Sequence, residues 1–319
     1  MSKLDHAKKF LKFVNACPSP WHAVHESQKL LTTAGYQKLS ESTSKPWDLQ
    51  PGGKYYLTRN GSTIFAIAVG GKFDIETDGR FALLGAHSDS PCLRVKPRSK
   101  ISKNGCDQIG VETYGGGTWP TWLDRDLKLA GRVVYKSETG PKQKLVHIDK
   151  PVTRISTLCV HLLHEQLKKI ELNLENHLPP ILNITAKGEK VEEEVKGIYK
   201  RHHVKLVDAV ARELGIESES ILDFELCLAD YQPGLIGGLD EEFIHAPRLD
   251  NLLSSYCALD SLINCDQTLD DDKCCRVVMI FDHEEIGSRS AQGADSRFIP
   301  SVLSRMLNFL KKYAFQIIK

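Results

Sequence analysis

The sequence predicts an α/β protein interrupted by a β-rich insertion. Segments with apolar residues at helical spacing alternate with short apolar runs bounded by turn residues. The middle of the chain changes texture to glycine, threonine and aromatic residues, and the alternation then resumes. With 319 residues, 41% hydrophobic and 26% charged, the chain has material for a sizeable core and two domains.

Leu4, Ala7, Phe10, Leu11 and Val14 recur at helical spacing, which predicts a first helix. Ser19-Pro20 opens a second that runs toward Gly35, because serine suits the N-cap and proline the first helical position. TIFAIAVGG and FALLGAH are short apolar runs ending in turn residues; they predict two buried strands, the second ending at His87. After Pro91, GVETYGGGTWPTWLDRDLKLAGRVVYK and KLVHIDK predict several strands and turns. RHHVKLVDAVARELGI reads as a helix and FELCLADYQPGLIGG follows it. In RLDNLLSSYCALDSLINC, Leu252, Leu253, Tyr256, Leu259, Leu262 and Ile263 share one helical face, and RVVMIFD is the next strand. The expected domains are therefore 1–93 together with 247–319, and an insertion at 94–246.

Net charge is +1, with Lys and Arg spread along the chain, so neither nucleic acid nor an anionic membrane is implied as a partner. The N-terminal MSKLDHAKKFLKFVNA is basic and amphipathic but has no continuous apolar stretch of the secretory kind, and no segment is long enough to cross a bilayer. Nine cysteines, an odd number without framework spacing, predict free thiols in a reducing compartment, hence a cytoplasmic protein. Asn60 and Asn183 match the glycosylation pattern and, in that compartment, are chance matches.

The chemistry collects where strands end. VVMIFDHEEIGSRSAQGADS places Glu284 and Glu285 directly after an apolar run, LLGAHSDSP supplies His87 and Asp89, and APRLDN supplies Asp250 at the start of a helix. Hydrolysis at paired metals needs one carboxylate that holds an ion and another, kept free, that takes a proton from the attacking water. Zinc accepts this mixture of imidazole and carboxylate, as do manganese and cobalt, and no cysteine pair stands at ligand spacing. Taken singly, each residue has an ordinary alternative: His87 a hydrogen-bonded core residue, Asp250 a helix N-cap, the glutamates a solvated turn. A carboxylate pair directly after a buried strand is poorly explained as solvated surface.

GAHSDSPCLRVKPRS, VETYGGGTWPTWLDRDLKLAGRV, ELCLADYQP, APRLDN and EEIGSRSAQGADS resemble, in order from about residue 10 to about residue 310, the aspartyl aminopeptidases of the M18 family of cocatalytic zinc exopeptidases. The resemblance implies an α/β/α zinc-exopeptidase core with an inserted β-rich dimerisation domain. It also implies two zinc ions per subunit, one held by His87, the second by Glu285, with Asp250 bridging them. Glu284 is then the general base and Asp89 the partner that orients His87. His161, in STLCVHLL, is the histidine that reaches a neighbouring subunit's substrate site; on sequence alone it is an ordinary polar residue. Peptides with an acidic N-terminal residue are the implied substrates, and dimers assembled into a dodecamer the implied homo-oligomer.

Family members continue past the point where LKKYAFQIIK ends this chain, and the segment beyond carries another zinc-binding Asp, another zinc-binding His and part of the substrate pocket. The expectation is thus a C-terminally shortened chain with two protein ligands per zinc, where catalytic sites normally have three. Ile299, Val302, Leu303, Met306, Leu307 and Leu310 form an apolar helical stripe that runs into Phe315, Ile317 and Ile318 without a Gly or Asn stop, in line with that expectation. His283, beside Glu284, is expected to make a loop hydrogen bond and not to replace a ligand. A shortened, inactive subunit that joins longer assemblies is the alternative function.

Overall fold

The structure, a computed structural model, describes residues 3–42, 46–162, 171–185 and 196–317. It divides into two compact units, Met1–Ser90 with Gly234–Lys319, and Pro91–Pro233. In chain order the first unit begins with α1 (Lys3–Ala16), α2 (Pro20–Thr33), β1 (Gln37–Lys38), β2 (Lys54–Arg59), β3 (Thr63–Val69) and β4 (Arg80–His87). The second unit holds β5 (Cys92–Lys103), β6 (Cys106–Tyr114), β7 (Asp126–Ser137), β8 (Gly140–Arg154), α3 (Leu174–His177), β9 (Ile181–Ile184), α4 (Val204–Leu214) and β10 (Ile221–Asp230). The first unit resumes with β11 (Leu235–Gly237), β12 (Phe243–His245), α5 (Leu249–Asn264), β13 (Cys274–Phe281) and α6 (Phe298–Ile317).

The main sheet of the first unit runs β1-β2-β3-β13-β4. Strand residues alternate between its faces, so one run feeds two cores. Phe65, Ile67, Val69, Val277 and Met279 pack with Phe298, Val302 and Met306 of α6. Ile64, Ala66, Ala68, Val278 and Ile280 pack with Val24 and Leu31 of α2 and with Leu259 and Leu262 of α5. Helices therefore cover both faces, and each fully buried aliphatic or aromatic side chain contributes about 1.5–3 kcal/mol relative to exposure.

Several expectations are corrected. FALLGAH forms a strand, but among the described residues β4 is the sheet edge: it pairs there with β13 alone, and Leu83 and Leu84 are 44% and 51% exposed. An apolar run fills an edge as readily as a centre, because the number of neighbouring strands is set elsewhere in the chain. The second domain boundary falls at Pro233/Gly234 instead of 246/247, since Ile236, Ile244 and Ala246 of the β11–β12 hairpin segment pack on the Phe10, Leu11 and Tyr256 cluster. The first falls at Ser90/Pro91. Ser19 is the N-cap of α2 with Pro20 behind it, yet its hydroxyl pairs with His22 Nδ1 at 2.7 Å and not with a backbone amide. Ile318, at the end of the apolar stripe of α6, lies outside the described residues.

The second unit is a closed barrel in the order β10-β5-β6-β9-β8-β7. Leu93, Ile109, Leu127, Leu129, Val146, Ile148 and Leu226 fill it, and Leu206, Val207 and Val210 of α4 join the same core. Gly215 ends α4 at φ +62°, a left-handed conformation that glycine takes without steric cost. His202, buried just before α4, pairs with Ser99 Oγ at 2.8 Å and lies against Phe224. Burial lowers its pKa to about 4. Among the described residues no helix is long and apolar enough to cross a membrane.

Candidate metal centre

β4 and β13 are parallel, with His87 opposite Phe281 as the last pair of the ladder. Their carboxyl ends therefore open on the same side, and the loops that leave them converge. After Phe281 the chain passes through His283, at φ 64°, into a single 3-10 turn, Glu284–Ile286, closed by Gly287 at φ 97°. α5 enters the same region: Asp250 (φ −86°, ψ 106°) and Asn251 (φ −122°, ψ 24°) depart from helical geometry, the peptide bond between them is cis, and regular helix follows. Asp250 is thus neither a helical residue nor the N-cap, which is Arg248.

These three pieces of chain bring His87, Asp250 and Glu285 together, with one ligand atom from each lying within 4.8 Å of the others. His87 Nε2 is 3.2 Å from Asp250 Oδ1 and 3.6 Å from Glu284 Oε2. Its Nδ1 faces Asp89, at 3.0 Å from the backbone oxygen and 3.4 Å from Oδ1. Acceptors thus face both ring nitrogens; with the proton on Nδ1, toward Asp89, Nε2 would be free to join the carboxylates around an ion.

The electrostatics are those of an uncompensated carboxylate cluster. Burial, then the charges of Asp250 and Asp89, push Glu285 up to about 7. Burial acts to lower the His87 pKa, but the hydrogen bond and charge of Asp89 outweigh it and the net shift is upward. Excess negative charge around one imidazole favours a cation. One nitrogen and two carboxylate oxygens are donors of the kinds that zinc takes. The donor set therefore fits zinc, and Glu284, 53% exposed at its side chain, stands beside it without belonging to the three.

Asp89 contacts more than His87. Its side chain is 1% exposed, and its two oxygens accept the backbone N–H groups of Glu284 (3.3 Å) and Glu285 (3.2 Å) while it faces His87. One buried carboxylate thus ties the end of β4 to the turn after β13. Ser90, Asn251 and Ser255, absent from the sequence-based site, also bond within it: Ser90 Oγ donates to Asp250 O at 2.6 Å, Ser255 Oγ to His87 O at 2.7 Å, and His87 N–H to Asn251 Oδ1 at 3.3 Å. Their positions beside ligand motifs were the only signal available. His161 lies in the other unit, exposed on the 3-10 turn Val160–Leu162. His283 stands outside the cluster, with Nε2 3.5 Å from Asp282.

A family model described as aminopeptidase I zinc metalloprotease (M18) matches residues 13–318. The chain is 46% identical over 322 residues to an aspartyl aminopeptidase of Aspergillus oryzae, covering 93% of this chain and 64% of the relative; it spans under two thirds of that protein's length. Among solved structures, one of the Ape4 and Nbr1 complex superposes with a TM-score of 0.90 at 43% identity, over 95% of this chain and 59% of the other. The Saccharomyces cerevisiae mApe1 dodecamer gives 0.80 at 30% identity, over 96% and 66%.

Proposed function

Because the chain belongs to the M18 family of aminopeptidase I zinc metalloproteases, we propose that its function is removal of the N-terminal residue from peptides at a zinc centre built on His87, Asp250 and Glu285. The observation that carries this reading is the meeting of those three donors at the carboxyl ends of two parallel strands, with a fourth carboxylate, Glu284, left over.

In this reading His87 with Asp250 would hold one zinc and Asp250 with Glu285 a second, giving two ions per subunit. Bound zinc supplies Lewis acidity that makes water acidic enough to lose a proton near neutral pH. Glu284 takes that proton and passes it to the leaving amine, a contribution of about 10²–10⁴-fold in rate. Asp89 fixes the His87 tautomer and holds the amides of both glutamates, so base and ligand keep their separate positions.

An acidic first residue on the substrate is supported by the name of the Aspergillus relative. Homo-oligomer formation, through dimers to a dodecamer, is supported by the dodecameric mApe1. The barrel unit is the proposed dimerisation domain, and the first unit the catalytic core; exposed His161 is the residue proposed to act at a neighbouring subunit's substrate site. Nine cysteines, an odd number without framework spacing, support a reducing, cytoplasmic setting.

A second reading has its own observation. The described residues contain one group of three donors, sufficient for a single ion and short of a two-zinc site. A chain so equipped acts as an inactive subunit that joins longer family members through the barrel unit.

Zinc content and hydrolysis of an aspartyl amide, measured on wild type and Glu284→Gln, decide between them. The enzyme reading expects turnover by the wild type and its loss by about 10²-fold or more in the variant, with zinc retained. Zinc loss in the variant means that the two glutamates have exchanged roles. Absence of turnover in zinc-loaded wild type, with incorporation into a longer relative's assembly, favours the second reading.

A further inference from the structure

We propose that Ser90, Asn251 and Ser255 form an uncharged hydrogen-bonded latch that holds Asp250 against His87 and so sets the metal affinity of the site. The inference rests on the zinc-centre reading above and extends it to residues that bind no metal themselves.

Among the described residues β4 pairs with β13 alone, on one side. In a parallel ladder the N–H and C=O of one residue point to the same side, and those of the next residue to the other. Ser88 N–H turns inward to Phe281 O at 2.7 Å, which leaves His87 facing outward. Both outward groups of His87 are taken up by side chains of α5: its N–H by Asn251 Oδ1, its C=O by the hydroxyl of Ser255, which is 1% exposed. Two side chains thus bind both outward backbone groups of the one β4 residue that carries a ligand nitrogen.

The third bond closes the latch. Asp250 and Asn251 have non-helical dihedrals and Arg248 makes no side-chain cap, so helix geometry does not fix where the Asp250 carboxylate lies. Ser90, three residues beyond His87, does so by donating to the Asp250 carbonyl. From Ser90 to Asp250 and Asn251, and from Asn251 and Ser255 to His87, each connection is neutral. None of the three side chains titrates near neutral pH, so the positioning does not change as the carboxylates gain or lose protons. Neutral partners also add no charge that competes for the cation. Partners one shell beyond a metal commonly change its affinity by about 10–100-fold when removed.

The test uses the whole 319-residue chain with zinc as the probe, its affinity measured by competition with a chromophoric chelator. Ser90→Ala and Ser255→Ala are each expected to weaken zinc binding about tenfold or more. Ser90→Thr, which keeps the hydroxyl, restores it. Ser27→Ala is the structural control: Ser27 is equally buried, donates to Ala23 O at 2.7 Å within α2, and its loss leaves zinc affinity unchanged. Equal zinc affinity in wild type, Ser90→Ala and Ser255→Ala overturns the latch, as does an equal loss in Ser27→Ala. Amide exchange at His87 in metal-free protein gives a second readout that needs no zinc. Faster exchange in Ser90→Ala as well as in Asn251→Ala supports the latch; no change in Ser90→Ala contradicts it. If wild type binds no zinc, the functional reading fails while amide exchange still decides the latch.

Discussion

Asp89 shows how one side chain can organise a site from beneath. Its carboxylate is buried, faces Nδ1 of His87 and accepts the amides of both glutamates. Replacing it by alanine leaves two backbone N–H groups without their acceptor inside the protein, at a cost of about 1–3 kcal/mol for each group left unpaired. Asp89→Ala is therefore expected to lower the melting temperature of zinc-free protein and to weaken zinc binding about 10–100-fold, whereas Asp89→Asn keeps one oxygen and loses less. Thermal melts with zinc titration check this, and an Asp89→Ala protein with wild-type values in both contradicts it. Glu284 and Glu285 were legible as a pair because adjacent carboxylates after an apolar strand have few structural uses. Ser90 and Ser255 were not, since a serine's part in a site depends on which distant carbonyl it meets, here 160 and 168 positions away in sequence.

Among elements, β3 and β13 were readable from apolar runs alone because both lie within the sheet, covered on both faces. β4 has the same composition and a different environment, so its exposed Leu83 and Leu84 could not be foreseen from the run itself. Barrel closure was equally hidden: β10 pairs with both β5 and β7, contacts between residues 86 to 133 positions apart that local patterning does not record. The His202 environment follows from that closure. Its folded pKa, about 4, lies below its ordinary 6.5, so the folded barrel binds fewer protons than the unfolded chain. The stabilisation is complete above pH 6.5 and is lost as pH falls toward 4, by on the order of 3 kcal/mol at pH 4. Denaturant titrations at pH 7 and pH 4 should show this loss, and His202→Phe should reduce the pH-dependent part; an unchanged pH dependence in the variant rules His202 out as its source.

At the scale of the whole molecule, the two units have separate cores. The metal donors all come from Met1–Ser90 and Gly234–Lys319, while His202 belongs to Pro91–Pro233. Zinc at about 100 times its dissociation constant is expected to stabilise the first unit by about 2.7 kcal/mol without moving the melting of the barrel unit. Calorimetry with and without zinc checks this, and a shift confined to the barrel contradicts it. The order of motifs was enough to indicate the family, because long strings retain their sequence however far apart the fold places them. The central claim is that the crevice at the carboxyl ends of β4 and β13 is a zinc site. Its most direct test is a crystal structure of zinc-loaded protein with anomalous scattering recorded at the zinc edge. A peak is expected about 2.0–2.2 Å from His87 Nε2 and from carboxylate oxygens of Asp250 or Glu285. Zinc bound with full occupancy at other residues, or retained when His87 is replaced by alanine, would contradict it.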